Sequence, residues 1–504
     1  MPRKPNILVL MADQLNPLAL PAYGNAVVKA PHIDALAASG VVFDSAYCNS
    51  PLCAPSRFSF MAGQLPSAIG AYDNAAEFPS EVPTFAHHLR HAGYHTILSG
   101  KMHFCGADQL HGFEERLTPD IYPADFGWTP DWTRFEHRPS WYHSMDSVIK
   151  AGPCVRSNQL DYDEEVVFTA RRRLYDLARA GERRPFCLVV SMTHPHDPYN
   201  ITRPYWDLYD GVEIAPPRVQ LPESQWDPHS RRLRHVCGLD LESVTPEQIR
   251  AARRAYYGAV SFVDDQVGSL LGALAEARLA DDTIVILLGD HGEMLGERGL
   301  WYKMNFFEGG SRIPLIVHAP RRFAPRRVAQ SVSLVDVLPT LLDLAGLEPD
   351  GAGPAPLAGR SLLPHLEGGA GHDRVEGEYL AEGAIAPMVM IREGRYKFIH
   401  CPADPDQLYD LGDDPDELRN LAAAPDQQAR CAQFRRQIET RISLERLHAD
   451  VLASQRRRRF VNQSLTQGRL AAWDYTPPRD GSQEYIRNHM DLEVMEAMAR
   501  FPRS

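Results

Sequence analysis

Up to about residue 370 the chain alternates short apolar runs with amphipathic segments, which is the pattern of β-α-β units around a parallel sheet. The runs predicted to be buried strands cover residues 7–12, 41–43, 96–98, 187–191, 283–288 and 315–318. The clearest helix is predicted over residues 251–274, where apolar side chains recur every three or four positions and therefore share one face. We expect an α/β fold with a central, mostly parallel sheet.

Polar residues come directly after four of the predicted strands. They are Asp13 with Gln14, Lys101 with His103, His194 with His196, and Asp290 with His291. In an open parallel sheet the ligand crevice lies beyond the carboxyl ends of the strands. The four groups are therefore expected to meet at one edge of the sheet, which makes that edge the candidate site.

The pattern changes near residue 370. Shorter apolar pieces, broken by Glu-Gly and Gly-Arg, predict an antiparallel meander over residues 375–400, and a charged helical segment follows over residues 426–458. We interpret residues 1–370 as one α/β domain. Residues 371–504 are interpreted as a smaller α+β lobe, which ends in a polar and aromatic tail from about residue 460.

Composition narrows the range of functions. The formal net charge of −12 disfavours a general binder of nucleic acid or of anionic membranes. The four arginines at 456–459 could form a nucleic-acid patch, but a solvated helix end that pairs with nearby acids is the better interpretation in an acidic chain. The N-terminal apolar run is too short for a signal peptide, and the 8 cysteines lack the spacing of a disulfide scaffold. We expect a cytoplasmic protein with no nucleic-acid or membrane partner.

The most informative motif is Cys53-Ala-Pro-Ser-Arg57. An apolar helical stretch begins after Pro55, so Cys53 is predicted at a helix N-terminus, where the helix dipole favours a thiolate or an anionic ligand. Arg57 adds a positive charge about one turn further on. A small buried cysteine in a turn is the alternative interpretation.

Two pairs of residues offer ligands for a divalent cation. Asp13-Gln14 and Asp290-His291 each follow a predicted strand and supply carboxylate, amide or imidazole donors. Either pair alone could be a turn or a helix cap. Together with the Cys53 motif, the two pairs favour a set of ligands.

At these residues the sequence resembles the sulfatase family, whose signature C-x-P-S-R marks a cysteine that is oxidised to formylglycine (3-oxoalanine). The segment Leu408-Tyr-Asp-Leu with Asp414-Pro-Asp-Glu417 resembles the C-terminal hallmark of the same family, so the resemblance spans nearly the whole chain. It implies an alkaline-phosphatase-like α/β sandwich, a formylglycine hydrate as the nucleophile and a formylglycine-generating enzyme that acts during maturation. It also implies one divalent cation, Ca²⁺ or Mn²⁺, whose ligands are Asp13, Gln14, Cys53, Asp290 and His291. Gln14 and His291 replace the commoner Asp and Asn.

The resemblance gives roles to further residues around the sulfate group. It implies that Lys101 and Lys303 bind the sulfate and that Arg57 orients the nucleophile. His103 is expected to help remove a proton when the aldehyde is regenerated. Asn74 matches a position that can hydrogen-bond the sulfate.

A leaving alkoxide must be protonated, and a histidine beside the bridging oxygen is the natural general acid. The segment Thr193-His-Pro-His-Asp-Pro198 offers two candidates. The family pattern selects His196, with His194 as a supporting residue.

Several segments resemble the choline sulfatases within the family; they cover residues 72–78, 120–131, 301–309 and 485–490. A quaternary ammonium cannot donate hydrogen bonds, so aromatic faces and negative charge recognise it. Trp128 is the predicted aromatic face, with Phe126 and Trp132 as neighbours. The predicted counter-charges are Glu382 and an acid of the tail, Glu493 or Asp491. Because relatives of this type form tetramers, the tail is expected to reach a neighbouring subunit's site in a homo-oligomer, a tetramer or a dimer.

The sequence therefore predicts a metal-dependent sulfuric ester hydrolase that cleaves choline-O-sulfate. The enzymatic alternative is a phosphonate or phosphodiester hydrolase, or an arylsulfatase, that uses the same site. The non-enzymatic alternative is a binding protein in which Cys53 stays an unmodified thiol.

Overall fold

A computed structural model describes residues 4–180, 184–241, 243–347, 353–481, 485 and 490–502. The strands in chain order are β1 (Asn6–Ala12), β2 (Val41–Tyr47), β3 (His95–Gly100), β4 (Glu115–Arg116), β5 (Gly152–Cys154), β6 (Phe186–Met192), β7 (Asn200–Thr202), β8 (Thr283–Gly289), β9 (Arg312–Ile313), β10 (Leu315–His318), β11 (Arg326–Ser333), β12 (Arg374–Tyr379), β13 (Met388–Glu393), β14 (Tyr396–His400) and β15 (Gln407–Asp410). The α-helices are α1 (Pro31–Ser39), α2 (Cys53–Ala62), α3 (Pro66–Ile69), α4 (Phe85–His91), α5 (Asp146–Ile149), α6 (Asn158–Ala180), α7 (Arg203–Trp206), α8 (Pro228–Val236), α9 (Pro246–Glu276), α10 (Glu308–Ser311), α11 (Val337–Leu344), α12 (Leu363–Leu366), α13 (Gln428–Arg441), α14 (Leu444–Leu465) and α15 (Leu492–Ala499).

The central sheet has the strand order β11-β2-β10-β8-β1-β6-β3-β4, with β9 paired to β2. Strand β1 pairs in parallel with β6 and β8, and β3 pairs in parallel with β6 and β4. Strand β10 is antiparallel to both of its neighbours, β8 and β2. The prediction of a mostly parallel central sheet is confirmed, and all six predicted strands belong to it.

Helices cover both faces of this sheet, which explains why its strands are continuous apolar runs. Side chains of β1 alternate between two cores: Leu8 and Leu10 pack with α6 and α9, whereas Ile7 and Val9 pack with α2, α4 and α11. The predicted helix at 251–274 is α9, which begins earlier because Thr245 caps it. No helix in the described ranges combines the length and the apolar character needed to cross a membrane.

The C-terminal part contains the predicted meander as a separate antiparallel sheet, β12-β13-β14-β15. Its outer face packs against α13. The single charged helix expected over residues 426–458 is two helices, because Ile442 is extended and Ser443 caps the start of α14. Since β12 also shares the core of β1 through Val375 and Tyr379, the division at residue 370 stays a prediction. Within the tail motif at 485–490, residues 486–489 lie outside the described residues.

The four strands that precede the polar groups lie side by side in the order β8-β1-β6-β3. In register, Ala12 pairs with Gly289 and with Met192, so β1, β8 and β6 end at the same level. At the end of β3, Gly100 has a φ of 108°, and a Cβ there would lie 2.0 Å from the Ser191 carbonyl oxygen. Only glycine therefore allows the chain to turn at this point. The adjacent strands and their common level confirm the predicted convergence of strand ends at one edge.

Candidate active site

Helix α2 begins at Cys53, at the edge where the four strands end. All 10 residues of α2 are buried, and Cys53 is 1% exposed. Pro55 lies in the first turn, where a missing N–H leaves no hydrogen bond unmade. The Ala54 N–H donates to Asn74 Oδ1 at 2.9 Å and so satisfies one of the free donors of the helix terminus. Cys53 therefore lies at the positive end of the helix dipole.

Arg57 holds two carboxylates that come from different strands. Its Nε lies 2.9 Å from Asp290 Oδ2, its Nη2 lies 3.1 Å from Asp13 Oδ2, and its Nη1 donates to Ser191 Oγ at 2.8 Å. All of these side chains are buried. The planar guanidinium fixes the direction of both carboxylates, so its main contacts are with the acids beside Cys53.

The acids, Cys53 and His291 form a compact group of possible metal ligands. His291 Nε2 lies 3.2 Å from Cys53 Sγ, 3.5 Å from Asp13 Oδ1 and 3.6 Å from Asp290 Oδ2. Cys53 Sγ and Asp13 Oδ1 are 4.0 Å apart, and all four ligand atoms lie within 4.8 Å of one another. Such separations and this mixture of donors fit one divalent cation at ordinary coordination distances.

Gln14, the remaining predicted ligand, lies beside this group in a strained backbone conformation with a φ of 63°. Its backbone N–H donates to Asp290 Oδ1 at 2.9 Å. Its carboxamide oxygen accepts from Lys303 Nζ at 2.6 Å, and its amide nitrogen donates to Glu293. The side chain therefore bridges the group of possible ligands and the ammonium of Lys303.

Two fully buried lysines bring positive charge to the site. Lys101 forms an ion pair with Asp13, and Lys303 Nζ lies 2.8 Å from His196 Nε2. Burial opposes ionisation of the Cys53 thiol, yet Lys101, Lys303 and His291 hold its pKa well below the usual range. Burial and the charge of Cys53 oppose ionisation of Asp13, but Lys101, His196 and Arg57 lower the pKa of its carboxyl to about 2. The site can therefore stabilise an anionic nucleophile and an anionic substrate group.

The two histidines after β6 have different surroundings. His196 directs Nε2 to Lys303 in the site, while its Nδ1 lies 2.6 Å from the Asp197 carbonyl oxygen. His194 is turned away, because its Nδ1 pairs with Asp163 Oδ2 at 2.6 Å. The geometry favours His196 as the histidine that can reach a substrate.

His103 lies between Cys53 and a group of aromatic rings. It lowers the pKa of the Cys53 thiol, although neither of its ring nitrogens makes a hydrogen bond of standard geometry within the described part of the chain. Its backbone N–H donates to Asp120 Oδ2 at 2.8 Å, which fixes the loop. On its other side the ring centroid lies 5.9 Å from that of Trp128.

A group of half-buried aromatic rings lies beside His103. Trp128 contacts Tyr122 at 5.4 Å and Trp141 at 6.3 Å between ring centroids. The predicted neighbours of Trp128 lie elsewhere, since Phe126 packs on Trp473 and Trp132 packs on His448.

Glu382 lies within electrostatic reach of Lys303 and Cys53. It is buried, and no described group hydrogen-bonds its Oε2. Burial raises the pKa of Glu382 to about 7, and the negative charges of Asp73 and Cys53 act in the same direction. By contrast, Glu493 is exposed on α15, and within the described ranges no hydrogen bond or ion pair joins it to this pocket. Asp491 caps the same helix by accepting from the Glu493 and Val494 N–H groups.

Four residues of the site were not predicted from the sequence: Tyr122, His143, Asp197 and Glu293. Asp197 follows His196 directly, and although burial opposes its ionisation, His196, His143 and Lys303 hold its pKa far below the usual range. The Lys101 ammonium lies 4.3 Å from the centroid of the Tyr122 ring. The position of Asp197 in a His-Pro-His-Asp motif was a usable signal, whereas His143 and Glu293 have none in their local sequence.

Comparison with known families and proteins agrees with this geometry. Residues 5–347 match the family model described as Sulfatase, residues 296–443 match N-sulphoglucosamine sulphohydrolase, C-terminal, and residues 449–501 match Choline sulfatase enzyme C terminal. The chain is 48% identical to the choline-sulfatase of Rhizobium meliloti (strain 1021), an alignment that covers 99% of each protein. It is 28% identical to iduronate 2-sulfatase of Homo sapiens, covering 72% of this chain and 74% of the relative.

Solved structures share the fold. A phosphonate monoester hydrolase of Agrobacterium radiobacter superposes with a TM-score of 0.71 at 25% identity, covering 88% of this chain and 96% of that one. A 2-O GAG sulfatase superposes with a TM-score of 0.65 at 24% identity, covering 94% and 97% of the two chains. The alkaline-phosphatase-like α/β architecture implied by the resemblance is confirmed. Because the family model matches more than half of the chain and the rhizobial relative aligns over nearly all of it, the chain belongs to the sulfatase family.

Proposed function

We propose that this protein hydrolyses choline-O-sulfate to choline and sulfate. The observation that carries the proposal is Glu382, a buried carboxylate whose Oε2 has no hydrogen-bond partner among the described groups and which lies within electrostatic reach of Lys303 and Cys53. A substrate with a sulfate at one end and a quaternary ammonium at the other matches this separation of charges. The 48% identity to a choline-sulfatase and the matched choline sulfatase C-terminal segment support the same substrate.

Cys53 is proposed to be the residue that becomes formylglycine. As its hydrate, this group would supply one ionised hydroxyl that attacks sulfur as the S–O bond to choline breaks, and a second hydroxyl whose deprotonation would let sulfate leave by C–O cleavage and return the aldehyde. Lys101 and Lys303 bind the non-bridging oxygens, where negative charge develops. His196 donates a proton from Nε2 to the choline oxygen as the S–O bond breaks, and His103 accepts the proton of the second hydroxyl.

One divalent cation, Ca²⁺ or Mn²⁺, is proposed to bind beside residue 53. Asp13, Gln14, Asp290 and His291 would hold it, and it would polarise a sulfate oxygen. Arg57 keeps the two carboxylates in place. Asn74, which caps α2, has its amide nitrogen available for a sulfate oxygen.

The ammonium end is proposed to bind between Trp128 and Glu382. Aromatic faces and a carboxylate attract a cation that has no hydrogen-bond donors. Tyr142 lies near Glu382: burial has the largest effect on the pKa of the Tyr142 phenol, and the charge of Glu382 raises that pKa further. Tyr142 in turn packs on Trp141 with ring centroids 4.3 Å apart, and Trp141 lies against Trp128.

The Glu382→Gln variant tests the proposed substrate. We expect kcat/KM for choline sulfate to fall about 10- to 100-fold, because the carboxylate that faces the ammonium is lost. In the unaltered protein the preference for choline sulfate over an aryl sulfate without a cationic group should rise with pH through about 7, since the pKa of Glu382 is about 7 and its carboxylate is ionised above that value. Steady-state kinetics with both esters across this pH range measures the effect.

The matched control is Glu378→Gln, because Glu378 is buried but binds Ser67 and Arg441 instead of facing the pocket. A phosphonate monoester serves as the third substrate, since a phosphonate monoester hydrolase shares the fold. If the unaltered protein prefers the phosphonate or the aryl sulfate, the choline sulfate assignment is wrong.

We also propose that the tail forms an interface between copies of this chain in a homo-oligomer, a tetramer or a dimer. Helix α15 has no buried residue, and its Leu492, Val494 and Met498 are 65%, 51% and 46% exposed. Such an apolar surface on a short helix suits a second copy, whose site would receive the acid of Glu493. A chain shortened after Gln467 should sediment as a smaller species with a raised KM for choline sulfate. Active monomers with an unchanged KM would contradict this proposal.

A further inference from the structure

The arginines at 456–459 do not form a uniformly solvated helix end. Arg456 and Arg457 are exposed, but Arg458 of α14 is buried. Its Nη1 and Nη2 lie 2.6 Å and 2.7 Å from Oδ1 and Oδ2 of Asp73, a bidentate pair in which Asp73 is fully buried. Arg458 Nη1 also donates to Thr129 Oγ1 at 3.2 Å. A single guanidinium thus joins two loops that are far apart in the sequence.

Both loops carry residues of the site. Asp73 precedes Asn74, whose side chain accepts from the N-terminus of α2 beside the nucleophile. Thr129 follows Trp128, the aromatic face proposed for the ammonium. Arg458 therefore links the sulfate end of the pocket to the ammonium end.

Neighbouring side chains of α14 contact the loop that follows Trp128. Gln455 Oε1 accepts from the Trp132 N–H at 3.0 Å, and Arg459 forms an ion pair with Asp131. The indole N–H of Trp132 then donates to the Ala381 carbonyl oxygen at 2.9 Å, directly before Glu382. One helix thus contacts, directly or through one residue, the segments that carry Asn74, Trp128 and Glu382.

We propose that α14 sets the substrate preference of the site and that Arg458 is its main positioning residue. This inference rests on the proposed function, and it gives the segment matched as a choline sulfatase C-terminus a task within its own subunit. This role requires a planar guanidinium, because it must donate hydrogen bonds to three acceptors in fixed directions: the two carboxylate oxygens of Asp73 and the hydroxyl of Thr129. A lysine supplies charge without that geometry. Displacement of the Trp128 loop changes the fit of an ammonium, whereas an ester without an ammonium does not depend on Trp128 and Glu382.

Two variants and one control test the proposal in the full-length protein. Arg458→Lys keeps the positive charge but cannot form the bidentate pair with Asp73. Arg458→Met combined with Asp73→Asn removes both charges and so avoids an unpaired buried carboxylate. Arg456→Met is the control, because Arg456 is exposed on the same helix. For each protein, KM and kcat are measured with choline sulfate and with an aryl sulfate that has no cationic group, together with the melting temperature.

We expect both Arg458 variants to lower kcat/KM for choline sulfate about 10-fold more than kcat/KM for the aryl sulfate, because a loss at Asn74 is common to both esters and only choline sulfate depends on Trp128 and Glu382. The control should match the unaltered protein. Equal losses on both esters, or folded variants that keep the original ratio, would overturn the inference and leave the proposed function standing. If the unaltered protein has no preference for choline sulfate, the proposed function fails first, and the inference fails with it.

Discussion

The Cys53→Ala variant is expected to release no sulfate above a background at least about 10⁴-fold below the unaltered protein, because it removes the nucleophile. Folding should be retained, since α2 keeps its cap at Asn74 and Arg57 keeps both carboxylates. Sulfate release and the melting temperature give the two readouts. In the unaltered protein, the mass of the peptide that contains Cys53 shows directly whether the thiol has become an aldehyde.

Cys431→Ala provides the control for this experiment. Cys431 is also buried, but it lies in the core between the small antiparallel sheet and α13, away from the site. Its replacement should lower stability modestly and leave kcat unchanged. Turnover that survives in Cys53→Ala would refute the assignment of the nucleophile, and an unmodified thiol in an inactive protein would favour the binding-protein alternative.

The Asp290→Asn variant should lose activity and bound cation together. Asp290 pairs with Arg57, accepts from the Gln14 N–H and lies 3.6 Å from His291 Nε2, so its charge organises the whole group of possible ligands. Loss of several kcal/mol of charge stabilisation corresponds to a fall of about 10³-fold in kcat/KM. Elemental analysis of the purified protein should show less than one Ca²⁺ or Mn²⁺ per chain.

A suitable control for the charge change is Asp264→Asn. Asp264 is buried and accepts from the His32 and Ile33 N–H groups at the start of α1. Burial raises its pKa to about 6. Asparagine keeps an oxygen for only one of the two N–H groups, so stability should fall while cation content and activity stay unchanged. Full cation content and activity in Asp290→Asn would show that the cation, if any, binds elsewhere.

The sequence was most informative where chemistry follows directly from strand ends. Asp13 and Asp290 come after buried parallel strands, and the convergence of such ends is a general property of the fold, so both could be placed without coordinates. The motif at Cys53 likewise specified a helix N-terminus, because proline in the first turn and a following apolar stretch allow few other structures.

Loop geometry could not be predicted in the same way. Phe126, Trp128 and Trp132 are close in sequence, but the irregular loop directs only Trp128 into the pocket, since no periodicity fixes which side chains of a loop point inward. The burial of Arg458 was also missed. Its partner Asp73 is 385 positions away, and local charge patterns carry no information about such pairs.

The complete burial of α2 constrains the proposed maturation of Cys53. A thiol that is 1% exposed in the finished fold would be out of reach of a second protein, so the proposed modifying enzyme would have to act while this segment is still extended. Maturation and folding would then compete for the same nascent chain. A chain that folded first would keep its thiol and stay inactive, so the specific activity of a preparation would report the fraction of chains modified before folding.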